Sequence, residues 1–175
     1  GDTPVKPFGG DGDFAFSADG SSVFFVLRDA DAALEALSTN LDIWQVPVDG
    51  SRKPVNLTDD NDAGDSTPVV SPDGKYLAYL AMSRPMYEAD RHRIMLRDLA
   101  SGEAREVAPE WDRSPGSLAF APDGKSLYVT ANDLGQNRLF HIDVASGEVR
   151  ALNDVGYIGA VAVGKNDLVY VYDDL

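Results

Sequence analysis

The sequence predicts an all-β fold, a β-propeller of four-stranded antiparallel blades. One observation is an apolar hairpin around an Asp-Gly turn that recurs at Asp19, Asp73 and Asp123, at spacings of 54 and 50 residues. Another is a second hairpin that recurs in phase with the first. A repeat of this length indicates a blade or solenoid unit. Sheets with two apolar faces must stack on copies of themselves, as propeller blades do.

The inner half of each predicted blade is the hairpin around the Asp-Gly turn. Asp and Gly favour tight turns, and the flanking β-branched and aromatic residues favour strands. Residues 76–80 are apolar at every position, as expected for a strand sandwiched between two blades. The predicted inner strands are residues 14–16 and 23–26, 68–70 and 76–80, and 118–120 and 127–130.

The outer half of each predicted blade is a strand, an Asp-Gly or Ser-Gly turn, and a short polar strand. Glycine supplies the positive φ that such a turn needs. These outer strands are residues 43–48 and 54–57, 94–99 and 105–107, and 139–144 and 149–152. Each repeat therefore predicts four strands joined by hairpins.

The predicted blades span residues 13–58, 67–108 and 116–153, and an incomplete fourth spans 158–175. This amounts to about three and a half blades, whereas propellers close with about four to eight. We therefore expect residues 1–175 to be one partial propeller. Its open blade faces and strand edges are expected to pair with a second copy or with sequence outside this chain.

Composition excludes several classes of protein. The chain has 15 Lys+Arg against 29 Asp+Glu, a net charge of −14, which argues against a nucleic-acid partner. No apolar run reaches the ~20 residues of a membrane helix. The absence of cysteine excludes disulfides and thiolate sites but leaves the compartment open. Residues 1–5 lack signal-peptide character, so either a signal has been removed or the chain starts within a longer protein.

Particular segments carry a resemblance to known proteins. Ser71 to Lys75 and Ala121 to Lys125 resemble the SPDGK repeats of TolB-type propellers, which also build the propeller of the prolyl oligopeptidase family of serine peptidases. Residues 79–91 and 110–114 are similar to the dipeptidyl-peptidase and acylaminoacyl-peptidase branch of that family. The resemblance implies a periplasmic or secreted exopeptidase with a propeller capping an α/β-hydrolase domain, while a cytoplasmic location stays open.

The chemistry of such a peptidase is not predicted within this chain. The nucleophile elbow G-x-S-x-G does not occur in the 175 residues, and no βαβ pattern is visible. The resemblance therefore implies that the hydrolase domain and its Ser, Asp and His lie outside these residues. No catalytic residue is predicted here, and no cofactor.

The candidate substrate-binding residues lie in long loops on the propeller face opposite the Asp-Gly turns, where binding usually resides. Two carboxylates beside an aromatic ring and an arginine can bind a peptide ammonium group. The resemblance implies the same role, because acidic residues on a propeller insertion hold the substrate N-terminus in this family's dipeptidyl-peptidases, although no double-Glu motif is present. The candidates are Tyr87, Glu88, Asp90, Arg91, Trp111, Asp112 and Arg113.

An alternative interpretation of these residues is structural. The five charged candidates can instead form a salt-bridge network that braces two adjacent loops. Trp111 is either a pocket wall or a lid on the blade core.

Other polar residues are interpreted as structural. His92 and His141 are too few for a zinc site, and residues 59–65 match no calcium-loop pattern, so we expect a solvated acidic loop and no metal. Residues 29–37 predict a short helix with acids in its first turn.

Two functions are consistent with the sequence. The first is a propeller portion of a serine exopeptidase that gates access and positions the N-terminus of a short peptide. The alternative is a TolB-like propeller that binds proteins or peptides without catalysis. The alternative gives no reason for the segments around Asp90 and Arg113.

Overall fold

The computed structural model describes residues 3, 9–30, 37–166 and 169–173. Its strands form three four-stranded antiparallel sheets and one strand pair, each in chain order. The first sheet contains β1 Phe14–Phe16, β2 Ser22–Leu27, β3 Asp42–Pro47 and β4 Val55–Asn56. The second contains β5 Asp65–Val70, β6 Tyr76–Ala81, β7 Arg93–Asp98 and β8 Ala104–Val107.

The third sheet contains β9 Pro115–Phe120, β10 Ser126–Asp133, β11 Gln136–Asp143 and β12 Val149–Ala151, and the pair is β13 Ile158–Val163 with β14 Val169–Asp173. A 3-10 turn, Asp11–Asp13, precedes β1. The first strands of successive sheets are neighbours, with β1 beside β5, β5 beside β9, and β9 beside β13. The predicted partial propeller is thereby confirmed, with each sheet as one blade.

The core lies in the seams between blades. On β6, Leu77 and Tyr79 pack toward the first blade, whereas Ala78 and Leu80 pack toward the third. Side chains alternate across a strand, so an all-apolar strand buries both faces at once. Leu77 and Ala78 are both completely buried. A third cluster, which includes Tyr128 and Ile158, joins the third blade to the strand pair.

The Asp-Gly turns are closed by their own side chains. In the second blade, the Ser71 hydroxyl donates to Asp73 Oδ1 over 2.7 Å, and the Lys75 backbone N–H donates to the same oxygen over 3.1 Å. These hydrogen bonds lower the pKa of Asp73 to about 2 because they favour the ionised form. Gly74 has a φ of 73°, which an L side chain rarely adopts.

One loop differs from its prediction. Residues 59–65 were expected to be solvated, and Asp59 and Asp60 are exposed. Asp65, however, begins β5 and is completely buried, because Leu41 O accepts its backbone N–H over 2.7 Å and draws it between two blades. The predicted helix at 29–37 falls largely on residues 31–36, which lie outside the described residues.

Candidate functional site

The candidate site lies where the loop between β6 and β7 meets residues from the first blade. We call residues 82–92 the insertion loop. Its Met86 backbone N–H donates to Thr39 Oγ1 over 2.8 Å, which links the loop to the segment preceding β3. Met86 has a φ of 65°, an uncommon conformation for a residue other than glycine. The contact fixes the insertion loop against its neighbouring blade.

Asp90 organises the insertion loop from inside. Its Oδ2 accepts the backbone N–H groups of Ser83 and Arg84 over 2.8 and 2.9 Å, and the Ser83 hydroxyl over 3.0 Å. Its Oδ1 accepts Arg84 Nε over 2.8 Å and lies 2.7 Å from Arg84 Nη2. The Arg84 side chain, followed by the Ser83 backbone N–H, holds the pKa of Asp90 well below its usual range. Both oxygens of this candidate ligand are therefore engaged within the loop.

Arg84 also holds the exposed aromatic ring of the loop. Its guanidinium carbon lies 4.1 Å from the centre of the Tyr87 ring, in a cation–π arrangement. Tyr87 is 47% exposed. The ring therefore lies on the loop surface with one face covered by the arginine.

Glu88 differs from Asp90 in its surroundings. Its side chain is exposed, and it forms no hydrogen bond or ion pair with any part of the chain that the structure describes. It lines two adjoining cavities. The inner cavity, of about 180 Å³, is also lined by Arg28, Leu41, Gly64 and Met82. A free carboxylate at the edge of a concave surface is the feature expected of a site for a cationic group.

The outer cavity is larger, at about 510 Å³, and is lined by Arg28, Thr39, Met86, Tyr87 and Glu88, among others. Arg28 and Glu88 line both cavities, so a cation and an anion share one opening. Arg28 Nε is buried and makes no hydrogen bond with any residue that the structure describes. The arrangement can accept a ligand that carries both a positive group and hydrogen-bond acceptors.

The two arginine candidates are held in bridges within the fold. Arg91 Nη2 lies 2.9 Å from Glu106 Oε1, and Arg91 Nη1 donates to Trp111 O over 3.2 Å. Arg113 Nε donates to Asp133 Oδ1 over 2.8 Å. Glu106 belongs to strand β8 and Asp133 to strand β10, so the bridges tie loops to blades. The alternative interpretation, in which the charged candidates brace the loops, therefore fits Arg91 and Arg113. Their partners, Glu106 and Asp133, were not identified from the sequence.

Trp111 and Asp112 also lie apart from the two cavities. The Trp111 ring packs edge-on against Phe140, with ring centres 5.0 Å apart, and joins the cluster between the second and third blades. The Asp112 side chain is exposed, while its backbone carbonyl accepts a hydrogen bond from Arg113. Trp111 therefore covers the blade core.

His92 is a cavity residue that was interpreted as structural from the sequence. It lines the inner cavity, and burial lowers its pKa because the charged ring is desolvated. Its backbone N–H donates to Ser114 Oγ over 3.0 Å. The cavity therefore contains a neutral imidazole at neutral pH.

Sequence reasoning also missed Arg28 and Thr39. Both flank the long connection between β2 and β3, which lies on the predicted binding face. That connection was the available signal, but it did not show which of its residues reach the insertion loop.

The residues that the structure describes contain neither a metal-binding cluster nor a membrane-spanning helix. In those ranges, no group of three or more His, Cys, Asp or Glu side chains is placed to hold a metal ion. None of the helices described is long and apolar enough to cross a membrane.

His141 packs edge-on against Tyr128, with ring centres 5.6 Å apart.

The chain is similar to part of a known peptidase. It is 35% identical over 170 residues to dipeptidyl-peptidase 5 of Trichophyton schoenleinii, an alignment that covers 92% of this chain and 23% of that protein. The chain thus spans about a quarter of the length of this relative. No protein-family model matches the sequence.

Solved structures share the fold. TolB of Agrobacterium tumefaciens matches with a TM-score of 0.72 and 19% identity, over 92% of this chain and 54% of that one. Acylaminoacyl peptidase of Pyrococcus horikoshii matches with a TM-score of 0.63 and 16% identity, over 86% of this chain and 22% of that one. The predicted resemblance to a propeller segment of this peptidase family, with TolB-like blades, is confirmed.

Proposed function

We propose that this partial propeller, related over most of its length to a quarter of dipeptidyl-peptidase 5, positions the substrate of a serine exopeptidase. In this proposal the Glu88 carboxylate binds the ammonium group of a short peptide. The observation that carries it is the contrast between two neighbouring acids. Asp90 has both oxygens engaged inside the loop, whereas Glu88 has no partner in the described ranges and lines two cavities.

The geometry suits a peptide N-terminus. A charge-assisted hydrogen bond from an ammonium group to Glu88 is stronger than a bond between neutral groups. Arg28, which lines the same cavities, offers N–H donors to the peptide carbonyl oxygens. A free N-terminus satisfies both groups at once, and an N-acylated peptide satisfies only the arginine.

Catalysis in this proposal belongs to a hydrolase domain outside these 175 residues. That domain would supply the nucleophile, the general base and the oxyanion hole, and the loop face of the propeller would close over it. The propeller would thereby exclude folded proteins and admit short peptides. A secreted or periplasmic location forms part of the same proposal.

A TolB-like binding scaffold is the second candidate. The fold match to TolB favours it, because that match covers 92% of this chain. This candidate requires protein or peptide binding by the propeller without any hydrolase activity.

Replacing Glu88 by glutamine tests the proposed anchor. In the complete protein that contains this chain, we expect the KM for free-amine dipeptidyl amides to rise about tenfold, because the glutamine oxygen still accepts a hydrogen bond but the negative charge that strengthens it is lost. The KM for N-acyl amides is expected to change little. Both constants are measured with chromogenic substrates, together with the melting temperature.

A matched control is Glu110→Gln, which removes an exposed carboxylate from the neighbouring loop, away from both cavities. Equal KM values for Glu88→Gln and the unmodified protein would reject the anchor. A folded complete protein that neither cleaves these amides nor reacts with a serine-directed fluorophosphonate would reject the peptidase and favour the binding scaffold.

A further inference from the structure

Two buried aspartates occupy adjacent positions in the seam between the first and second blades. Leu41 and Gly64 form a parallel bridge, and Asp42 and Asp65 are the residues that follow them. Equivalent positions of adjacent parallel strands lie about 4.8 Å apart with side chains on the same side. Asp42 is 6% exposed and Asp65 is completely buried. The two side chains therefore extend from adjacent positions, away from solvent.

Each carboxyl group has one partnered and one unpartnered oxygen. Asp42 Oδ2 accepts Asn56 Nδ2 over 3.0 Å, and Asp65 Oδ1 accepts Asn61 Nδ2 over 2.9 Å. Asp42 Oδ1 and Asp65 Oδ2 are buried and have no hydrogen-bond partner among the described residues, although the Asn40 and Thr58 side chains lie close enough to favour the ionised forms. Unpartnered buried oxygens are costly, and two adjacent ionised carboxylates repel each other. A proton on one group removes both penalties, because its O–H donates to the free oxygen of the other.

The charged groups around the pair do not neutralise it. Arg93 of β7 attracts Asp65, but its Nη2 donates to Met82 O over 3.0 Å, and burial is the largest influence on Asp65. The pKa of Asp65 is raised to about 7, chiefly by burial, and the charge of Asp42 contributes in the same direction. On Asp42, burial raises the pKa, assisted by the nearby acids Asp29 and Asp59.

Tyr79 of β6 is a further titratable group beside Asp65. Burial, and then the charge of Asp65, raise the pKa of Tyr79, so this phenol stays neutral. Asp60 also acts on Tyr79, in the same direction. Arg97 and Arg93 act on Tyr79 in the opposite direction. The described surroundings thus contain two arginines against the acids Asp29, Asp59 and Asp60, and this excess of acids favours retention of a proton.

We propose that Asp42 and Asp65 hold one proton between them at neutral pH, and that this proton closes the seam between the first two blades. Leu41 and Gly64, which precede the pair, line the inner cavity, so the proton lies directly behind that cavity. Loss of the proton at higher pH leaves two buried charges side by side and weakens the seam. This inference concerns the fold and does not depend on the proposed peptidase function.

The test is the stability of the 175-residue chain between pH 5 and pH 8. The folded chain retains a proton that the unfolded chain releases above about pH 4, so stability is lost as the pH rises through this window. From a folded value of about 7, the unfolding equilibrium constant is expected to rise about a hundredfold more in the unmodified chain than in Asp65→Asn. Asparagine carries an N–H toward Asp42 and does not titrate.

Asp60→Asn, which changes an exposed acid near the same seam, is the matched control and should keep the full pH response. If Asp65→Asn does not fold, ¹³C carboxyl titration of the unmodified chain decides, since a buried aspartate titrating near pH 7 is expected. An equal pH response in Asp65→Asn, or no carboxyl titrating above pH 6, would overturn the proposal. A rise in stability on adding Ca²⁺ at pH 8 that Asp65→Asn abolishes would also overturn it, in favour of a bound cation.

Discussion

Replacing Leu127 by alanine is expected to lower the free energy of unfolding by about 3 kcal/mol, a cost typical of a leucine truncated in a packed core. Leu127 of β10 is completely buried in the cluster that joins the second and third blades. Both blades are held by their own strands, so the seam has limited freedom to collapse into the space left by the side chain. Denaturant unfolding followed by circular dichroism measures the change.

The matched control is Leu134→Ala, in the turn that links β10 to β11. Leu134 is 89% exposed, so its truncation should change the free energy of unfolding by less than about 0.5 kcal/mol. If Leu134→Ala lowered the free energy of unfolding as much as Leu127→Ala, burial in the seam between the second and third blades would not explain the loss.

Replacing Asp90 by asparagine is expected to weaken binding of free-amine dipeptides about tenfold, although Asp90 is not assigned to contact the ligand. The side-chain amide has a single acceptor oxygen, whereas Asp90 accepts the N–H groups of Ser83 and Arg84 with one oxygen and the Arg84 guanidinium with the other. One set of donors therefore faces an NH₂ group. The insertion loop loses its internal support, and Glu88 loses its fixed position.

Two measurements distinguish this positioning role from a general loss of stability. Limited proteolysis should cut the insertion loop of Asp90→Asn sooner, while the global melting temperature falls only slightly. Asp112→Asn, an exposed acid of the next loop, should change neither the cleavage nor the dipeptide affinity. Unaltered affinity and unaltered cleavage of the insertion loop in Asp90→Asn would show that Asp90 does not position Glu88.

The fold was predictable because its signals are local. Each Asp-Gly turn is built from residues within five positions of one another, such as Ser71 and Lys75 around Asp73, and the all-apolar run of β6 records burial on both faces. These features need no knowledge of distant contacts. A repeat of such hairpins then leaves few architectures that cover every apolar face.

The site was less predictable because its contacts are distant in sequence. In the sequence, Glu88 and Asp90 are two equivalent acids of one loop. Only the path of the insertion loop decides which carboxylate faces inward. Thr39 reaches Met86 across 47 positions, and Arg91 finds Glu106 on a strand that follows it. Asp65 was assigned to a solvated loop because its acidic neighbours are solvated, while its own burial comes from a bridge to the first blade.

The two-sided packing of β6 has a consequence for how the chain comes apart. Successive residues of one strand belong to different clusters, so the second blade cannot open without breaking both seams. Its amides should exchange with solvent only in near-global opening events, whereas the first blade and the strand pair can fray separately. In a stack with nearest-neighbour coupling, a blade packed on both sides is stabilised by two interfaces, whereas a unit at the end is stabilised by one. The strand whose sequence indicates the fold most clearly is thus also expected to be among the last elements to unfold.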